Sequence, residues 1–230
     1  MLQQTQVNRV IPKYLAFVSR FPNVEILSQA TLSEVLSFWQ GLGYNRRAKF
    51  LWQLAQVIKN SQSKQFPQTE VELQKLPGIG SYTASAIITF AYNQPTIVIE
   101  TNVRSVFLYH FFPDRSDVPD SELFPLIQQS MSTQNPREWY WALMDYGSYL
   151  KKVIPNPSRK SKHHTKQSKF QGSLRQVRGE IIKYLTQHDS ITNDELQKLI
   201  TGNKTHFSEA IKQLLKEKLV IKNRNRFSLP

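Results

Sequence analysis

The sequence predicts an all-α protein in which a long helical part, residues 1–150, is followed by a small C-terminal unit, residues 174–230. Apolar residues recur at the helical spacing of about 3.6 residues through most of the first part, and no segment of it alternates between apolar and polar residues as a half-buried strand would. The intervening residues 151–173 are basic and contain two prolines, which indicates a linker or loop. Beyond them the pattern changes to three short helices and a hairpin.

Local signals set the bounds of the helices in the first part. Proline cannot continue a helix, so Pro22 ends the first one, and the sequence Thr31-Leu-Ser-Glu34 is typical of a capped helix start. Thr69 is a similar start for a short helix. The apolar pattern then predicts helices around residues 7–18, 31–39, 51–58, 69–73, 83–92, 102–112 and 139–150.

The C-terminal unit has the pattern of a winged-helix domain. An amphipathic helix around residues 177–185 is followed by a shorter helix capped by Thr192 and by a third helix around residues 207–215. Residues 219–221 and 227–229 are interpreted as two short strands around a turn. In a winged helix that binds DNA the third helix enters a groove, but many winged helices bind proteins instead, and the sequence leaves both possibilities open.

The composition favours an anionic partner. The 230 residues carry a formal net charge of +13 with 11% aromatic residues, which suits nucleic acid, although a merely basic protein has the same balance. The absence of cysteine excludes disulfides, cysteine–zinc sites and iron–sulfur clusters, and we expect no metal site. No apolar run could cross a bilayer, and the start MLQQTQVNRV lacks the apolar region of a signal peptide. We therefore expect a soluble, cytoplasmic, nucleoid-associated monomer with no membrane partner.

The first motif that carries chemistry is Leu76-Pro77-Gly78-Ile79-Gly80, which lies between two predicted helices. Proline and two glycines make a tight turn whose backbone amides lie at the positive N-terminal end of the next helix. Such a turn can bind one DNA phosphate without reading the base sequence. The alternative is an ordinary turn between two helices.

The second motif is the carboxylate Glu100 in the sequence Val98-Ile-Glu-Thr-Asn-Val-Arg104, about twenty residues after the glycine turn. Removal of a base from deoxyribose builds positive charge on the sugar, and a fixed carboxylate stabilises that charge. The alternative is that Glu100 only interacts with the helix dipole. Because glutamate is a poor N-cap and Thr101 or Asn102 would cap better, the motif favours the catalytic role.

Together these motifs resemble a known family. The sequence LPGIGSYTASAI followed by the carboxylate in IETNVRSV resembles the helix-hairpin-helix DNA glycosylase superfamily, and MLQQTQV and WQGLGYNRRAKFL resemble its MutY-like adenine glycosylase branch. The resemblance spans residues 1 to about 150. It implies a DNA-repair enzyme that flips a mispaired base out of double-stranded DNA and hydrolyses its N-glycosidic bond, with adenine opposite guanine or 8-oxoguanine as the leading substrate.

The resemblance gives individual residues a role. Glu100 is the catalytic carboxylate, and a helix carrying the QQTQ residues enters the duplex together with the wedge Tyr44, for which a core tyrosine is the alternative. Arg46 and Arg47 contact phosphates, unless they only form a solvated face. The candidate DNA-contacting residues are Gln3, Gln4, Thr5, Gln6, Tyr44, Arg46, Arg47, Leu76, Pro77, Gly78, Ile79, Gly80, Ser81, Tyr82, Asn102 and Arg104.

Three departures from the family concern the chemistry. The resemblance implies a general-acid glutamate two residues before Met1, and this chain lacks it, so either the true start lies upstream, or the sequence is a fragment, or the protein is not a catalyst. We expect the true start to lie upstream, because the first helix would otherwise begin with an exposed Leu2 and no cap. Glu100 replaces an aspartate, and the extra methylene moves the carboxylate by roughly 1.5 Å. Tyr82 stands where bifunctional relatives have a Schiff-base lysine, which predicts a monofunctional enzyme.

Further departures concern DNA recognition. Lys151 lies near the position of the first cluster cysteine in relatives, so we expect no iron–sulfur cluster and a basic loop that contacts DNA in its place. A monovalent cation at the hairpin turn is implied by the resemblance alone. The unit after residue 174 does not resemble the larger domain that reads 8-oxoguanine.

The alternatives are a thymine/uracil–guanine mismatch glycosylase, which Tyr82 favours, and a catalytically inactive protein that binds DNA lesions, which the missing general acid and the altered carboxylate both favour. A winged-helix regulator with a degenerate N-terminal part is a third.

Overall fold

The prediction of a mainly helical protein is confirmed by the computed structural model, which describes residues 1–61 and 65–230. In chain order its elements are α1 (Val7–Arg20), α2 (Val24–Gln29), α3 (Leu32–Trp39), α4 (Arg46–Asn60), α5 (Glu70–Leu73), α6 (Ser81–Phe90), α7 (Thr101–Phe111), α8 (Asp120–Ser130), α9 (Pro136–Val153), α10 (Leu174–Leu185), β1 (Ile191–Thr192), α11 (Asn193–Leu199), α12 (Phe207–Lys216), β2 (Ile221–Asn223) and β3 (Arg226–Ser228). No helix among the described residues is both long and apolar enough to cross a membrane.

These elements form two units, one of which is discontinuous in sequence. The first unit contains residues 1–66 and 168–230, and the second contains residues 67–167. In the first unit, apolar side chains of α1–α4 and of α10–α12 belong to one buried cluster, so the N- and C-terminal segments share a core. The predicted domain bounds of 1–150 and 174–230 and the predicted linker of 151–173 describe segments of sequence and stay a prediction.

The C-terminal segment of the first unit contains the three predicted helices and the predicted hairpin of β2 and β3. The short strand β1 was not predicted; it pairs antiparallel with β3 and gives the sheet the order β1-β3-β2. Thr192 caps α11 in a complete capping box with Glu195, as the sequence indicates. Arg178 joins α10 to α12, because its guanidinium donates to Gln213 over 2.9 Å and to Glu217 over 2.6 Å. The assignment to the winged-helix class remains a prediction.

Helix α1 ends before Pro22 as predicted, but most of its apolar residues do not face a core. Val10 and Phe17 are buried. The apolar side chains of α1 that remain exposed are Val7, Ile11, Tyr14, Leu15 and Val18. The apolar period thus predicted the helix correctly, but it could not predict which of the apolar side chains are buried, because burial depends on tertiary packing.

The second unit holds α5–α9 around a core in which Tyr140 of α9 is fully buried. Its hydroxyl donates to the carbonyl of Thr96 over 2.9 Å and accepts from the amide of Val98 over 2.8 Å. These two bonds fix the extended segment that leads into α7. Burial raises the pKa of Tyr140 to about 12, so this hydroxyl stays protonated at neutral pH.

Candidate functional site

The glycine turn lies at the surface of the second unit, between α5 and α6. Gly78 has a φ of +75°, a left-handed conformation that favours glycine, and the buried side chain of Ile79 anchors the turn from below. Gly80 is the N-cap residue of α6, and Gly78, Gly80 and Ser81 are exposed. The two helices are pinned together by Ser85, whose hydroxyl donates to Glu70 over 2.5 Å. The positive end of α6 is therefore presented at an accessible turn.

Glu100 is the N-cap of α7. Its Oε1 accepts hydrogen bonds from the backbone amides of Asn102 over 2.6 Å and Val103 over 3.0 Å. The expectation that Thr101 or Asn102 would cap this helix is wrong, because both already lie in its first turn while Glu100 has the extended backbone of a cap residue. In the described part of the chain no hydrogen bond involves Oε2 of Glu100. One carboxylate oxygen of Glu100 is thus held by the backbone amides at the start of α7.

Three further polar groups lie close enough to Glu100 to interact with its charge, those of Tyr82, Lys151 and Arg104. Burial raises the pKa of the Tyr82 hydroxyl, and the negative charge of Glu100 raises it further. Burial lowers the pKa of the Lys151 ammonium, and Glu100 opposes this effect. A carboxylate, a phenol, an amine and a guanidinium therefore lie within reach of one another's charges.

Lys151 connects the end of α9 to the start of α7. Its Nζ donates a 2.7 Å hydrogen bond to Oδ1 of Asn102. One turn earlier on α9, Gly147 lies against the backbone of Asn102, so closely that a Cβ on Gly147 would stand 2.2 Å from the carbonyl oxygen. The chain has no cysteine, so the residues present at this position do not fit an iron–sulfur cluster. The sequence did not reveal the pairing of Lys151 with Asn102.

Arg104 forms an ion pair that the sequence did not predict. Its Nε and Nη2 each donate over 2.7 Å to one carboxylate oxygen of Asp120 at the start of α8. The hydrogen bond to Asp120 raises the pKa of Arg104, and burial opposes that shift. This two-point contact gives Arg104 a structural role between α7 and α8, and its contact with DNA stays a prediction.

In the first unit, the loop between α3 and α4 displays Tyr44. Gly41 and Gly43 have φ values of +88° and +71°, and Tyr44 itself has a φ of +51°, an uncommon conformation for a tyrosine. The side chain of Leu42 is buried and anchors the loop, whereas Tyr44 is 40% exposed. Tyr44 is therefore not a core tyrosine.

Arg47 contacts the backbone of this loop and two aromatic rings. Its guanidinium donates to the carbonyl oxygens of Met1 over 3.1 Å and Gly43 over 3.3 Å, and it lies 5.4 Å from the ring centre of Trp39 and 5.5 Å from that of Tyr44. Burial lowers the pKa of Arg47. By contrast Arg46 is exposed above Phe50. Of the two arginines predicted to contact phosphates, Arg46 has the accessible position.

The residues Gln3, Gln4, Thr5 and Gln6 are not on a helix, which corrects the expectation drawn from the resemblance. Gln4 has a φ of +55°, which interrupts a right-handed helix, and α1 begins only at Val7. The hydroxyl of Thr5 donates to the carbonyl of Leu42 over 3.2 Å, so this turn packs beside the Tyr44 loop. These residues therefore lie beside the Tyr44 loop, but their backbone forms a turn and not the predicted helix.

Comparisons with known proteins agree with these features. A family model described as "HhH-GPD superfamily base excision DNA repair protein" matches residues 1–124. The chain is 35% identical over 151 residues to the adenine DNA glycosylase of Buchnera aphidicola subsp. Baizongia pistaciae, covering 65% of this chain and 43% of that protein. It is 45% identical over 106 residues to the adenine DNA glycosylase of Mycolicibacterium smegmatis, covering 46% and 36%. The adenine DNA glycosylase of Mycobacterium tuberculosis H37Rv is 30% identical over 259 residues, covering 100% and 83%.

The chain thus spans less than half the length of the first relatives that it matches. Solved structures with a similar fold include a thermostable thymine-DNA glycosylase, with a TM-score of 0.56 and 22% identity over 70% of this chain and 73% of that chain. A non-covalent endonuclease III–DNA complex has a TM-score of 0.52 and 18% identity over 69% and 78%.

Proposed function

Because the chain belongs to the HhH-GPD superfamily of base excision DNA repair proteins, we propose that it is a DNA glycosylase that removes a mispaired base from double-stranded DNA. Its substrate is adenine opposite guanine or 8-oxoguanine, and it hydrolyses the N-glycosidic bond. Relatives that are at least 30% identical carry the name adenine DNA glycosylase, which supports adenine as the base.

The geometry of Glu100 is the observation that carries this proposal. Loss of the base leaves positive charge on the deoxyribose, and a carboxylate held in a fixed place stabilises this charge without having to reorganise. The amides of Asn102 and Val103 hold Oε1 and so fix the direction of Oε2.

Binding of double-stranded DNA is supported by the turn at Gly78 and by the net charge of +13. An exposed glycine turn at the N-terminus of α6 is suited to one backbone phosphate, which would hold the strand without reading its sequence. A monovalent cation at this turn is part of the proposal, and no other cofactor is. The expected state is a monomer.

The proposed product is an abasic site. By the family resemblance, Tyr82 stands where bifunctional relatives have the lysine that attacks the sugar, and its hydroxyl, whose pKa is raised, remains a neutral phenol. The reaction is therefore assigned to a monofunctional enzyme. Trapping of a covalent protein–DNA adduct with borohydride at a rate that matches base loss would contradict this assignment.

A protein that binds lesions without catalysis is the second candidate, and the N-cap role of Glu100 favours it. A carboxylate whose Oε1 already stabilises α7 has a sufficient structural reason to be present. The two candidates differ in what the charge of Glu100 does, and this difference can be measured.

The test is single-turnover excision by the protein expressed from its full reading frame, on duplexes that contain A:8-oxoguanine, A:G, T:G or U:G. Alkali then reveals abasic sites. In Glu100→Gln the amide oxygen can still accept the two backbone hydrogen bonds, so the cap is retained while the negative charge is lost. We expect adenine excision to fall by at least about 100-fold in this variant.

Glu138→Gln is the matched control, because Glu138 is an exposed glutamate in the first turn of α9. Equal excision by wild type and Glu100→Gln would exclude a catalytic role for the charge of Glu100. Binding of mispaired DNA without excision of any base would establish the lesion-binding protein, and excision from T:G or U:G alone would assign the mismatch activity on thymine or uracil.

A further inference from the structure

A tight turn at residues 168–173 displays Phe170 at the surface of the first unit. Phe170 is 62% exposed. Its carbonyl accepts hydrogen bonds from the hydroxyl of Ser173 over 2.6 Å and from the amide of Ser173 over 3.1 Å. Gly172 has a φ of +76°, and its amide donates to Gln176 over 2.7 Å. Phe170 therefore lies on a turn whose conformation is stabilised by hydrogen bonds within the turn and to the start of α10.

Arg175 connects this turn to the Tyr44 loop, 131 residues away in sequence. Its Nη2 donates to the carbonyl of Ser168 over 2.8 Å, and its Nη1 donates to the hydroxyl of Tyr44 over 3.3 Å. A guanidinium is suited to this task because its donors diverge in one rigid plane. One side chain therefore links the loop that carries Tyr44 to the turn that carries Phe170.

The surroundings of these two rings are cationic. Lys169 precedes Phe170 on the turn, Arg46 follows the Tyr44 loop, and both are exposed. Exposed aromatic rings next to lysine and arginine are the combination that binds unpaired bases, because every base has a face for stacking and its backbone carries negative charge. A ring that is already held in place loses little conformational entropy when it stacks.

We propose that Phe170 is a second base-stacking residue, which acts beside Tyr44 and stacks on a base that has lost its pairing partner in duplex DNA. This inference rests on the proposed function, since it takes double-stranded DNA with a lesion as the ligand. The proposed contact comes from the predicted linker, residues 151–173, to which Phe170 belongs. Phe170 would thus help to distinguish DNA with an unpaired base from intact DNA.

The test is equilibrium binding of the full chain to two duplexes that differ at one position, an intact G:C pair and a guanine opposite a tetrahydrofuran abasic analogue. We expect Phe170→Ala to lose roughly 5- to 150-fold in affinity for the abasic duplex, the loss typical of one stacked base. Affinity for the intact duplex should change less than about 2-fold, and the dependence on salt should be unchanged, because the phosphate contacts remain.

Two further variants complete the experiment. Phe170→Trp keeps an aromatic face and should retain the preference for the abasic duplex. Phe124→Ala is the matched control, since Phe124 is also an exposed phenylalanine but lies on α8 in the other unit. Circular dichroism of each variant checks the fold.

The outcomes separate this inference from the proposed function. If wild type prefers the abasic duplex and Phe170→Ala prefers it equally, the stacking role is refuted and the DNA-repair function stands. Equal losses on both duplexes would also refute it, as would unchanged DNA binding together with loss of a protein partner. If wild type shows no preference at all, both proposals fail.

Discussion

Lys151 on the last turn of α9 donates a 2.7 Å hydrogen bond to Asn102 on the first turn of α7, and Asn102 in turn donates its backbone amide to Glu100. The three residues form a chain of contacts that runs from the end of one helix to the carboxylate at the start of another. The position of Glu100 therefore depends on packing between α7 and α9 as well as on its own N-cap bonds.

The first prediction concerns the Lys151–Asn102 bond. Lys151→Met retains the apolar part of the side chain but leaves Oδ1 of Asn102 without its charged donor, so we expect the free energy of unfolding to fall by about 1–3 kcal/mol. Urea unfolding monitored by circular dichroism measures this change. Lys152→Met is the control, because Lys152 is the adjacent exposed lysine on the same helix. Equal stability of both variants would show that the bond contributes nothing.

How far the sequence predicted this site depends on how local each signal is. The turn at Gly78 was predicted because proline and glycine fix a backbone within a few residues. The cap by Glu100 was missed, because the preference for other N-cap residues is a weak local tendency that the extended segment held by Tyr140 overrides. The Lys151–Asn102 bond joins residues 49 positions apart, and no local pattern could reveal it.

The same reasoning applies to the first unit. The period of α1 predicted a helix, but the exposure of Ile11 and Leu15 follows from packing that is not visible in that period. Tyr44 was predicted as a site residue from its motif. Its hydrogen bond with Arg175 could not be predicted in this way, because all residues of the second unit lie between the two in sequence. Motifs therefore predicted candidate site residues, and the tertiary structure adds the residues that contact them.

The second prediction is that Gly147→Ala disrupts the packing of α9 on α7. The added Cβ would stand 2.2 Å from the carbonyl oxygen and 2.7 Å from the carbonyl carbon of Asn102, and these backbone atoms cannot move without shifting the start of α7. We expect a loss of roughly 1–3 kcal/mol in the free energy of unfolding. Base excision should fall as well, because Glu100 shifts with its helix.

Gly179→Ala provides the control for this substitution. Gly179 also lies inside a helix, α10, but no atom lies within 4 Å of an added Cβ there. Alanine at this position should stabilise the protein by about 0.5–1 kcal/mol, since glycine is the poorer helix former. Parallel thermal unfolding of the two variants should therefore give shifts of opposite sign. A stabilising Gly147→Ala would show that the two helices can separate at no cost.

The third prediction concerns stability at high pH. The folded pKa of Tyr140, about 12, is raised above its ordinary value of 10.0, so its protonated hydroxyl contributes stability that is fully present below pH 10. That contribution is lost as the pH rises towards 12, because the folded protein binds the proton more tightly than the unfolded chain does. Urea unfolding between pH 8 and pH 11.5 should show this decrease. Tyr140→Phe should start less stable, because it lacks both hydrogen bonds, and should fall less steeply; an identical slope would exclude Tyr140 as the cause.

The last prediction separates the two adjacent arginines of the Tyr44 loop. Lysine in place of Arg47 has one ammonium group, which cannot reach the carbonyls of Met1 and Gly43 together while lying beside the rings of Trp39 and Tyr44. We expect Arg47→Lys to lower the midpoint of thermal unfolding and to weaken binding of the abasic duplex by roughly 10-fold, which corresponds to about 1.4 kcal/mol. In Arg46→Lys the exposed charge is kept, so both quantities should stay close to those of wild type. If Arg46→Lys had the larger effect on both, the shape of the loop would not depend on Arg47, and direct contact of Arg46 with DNA would account for the loss.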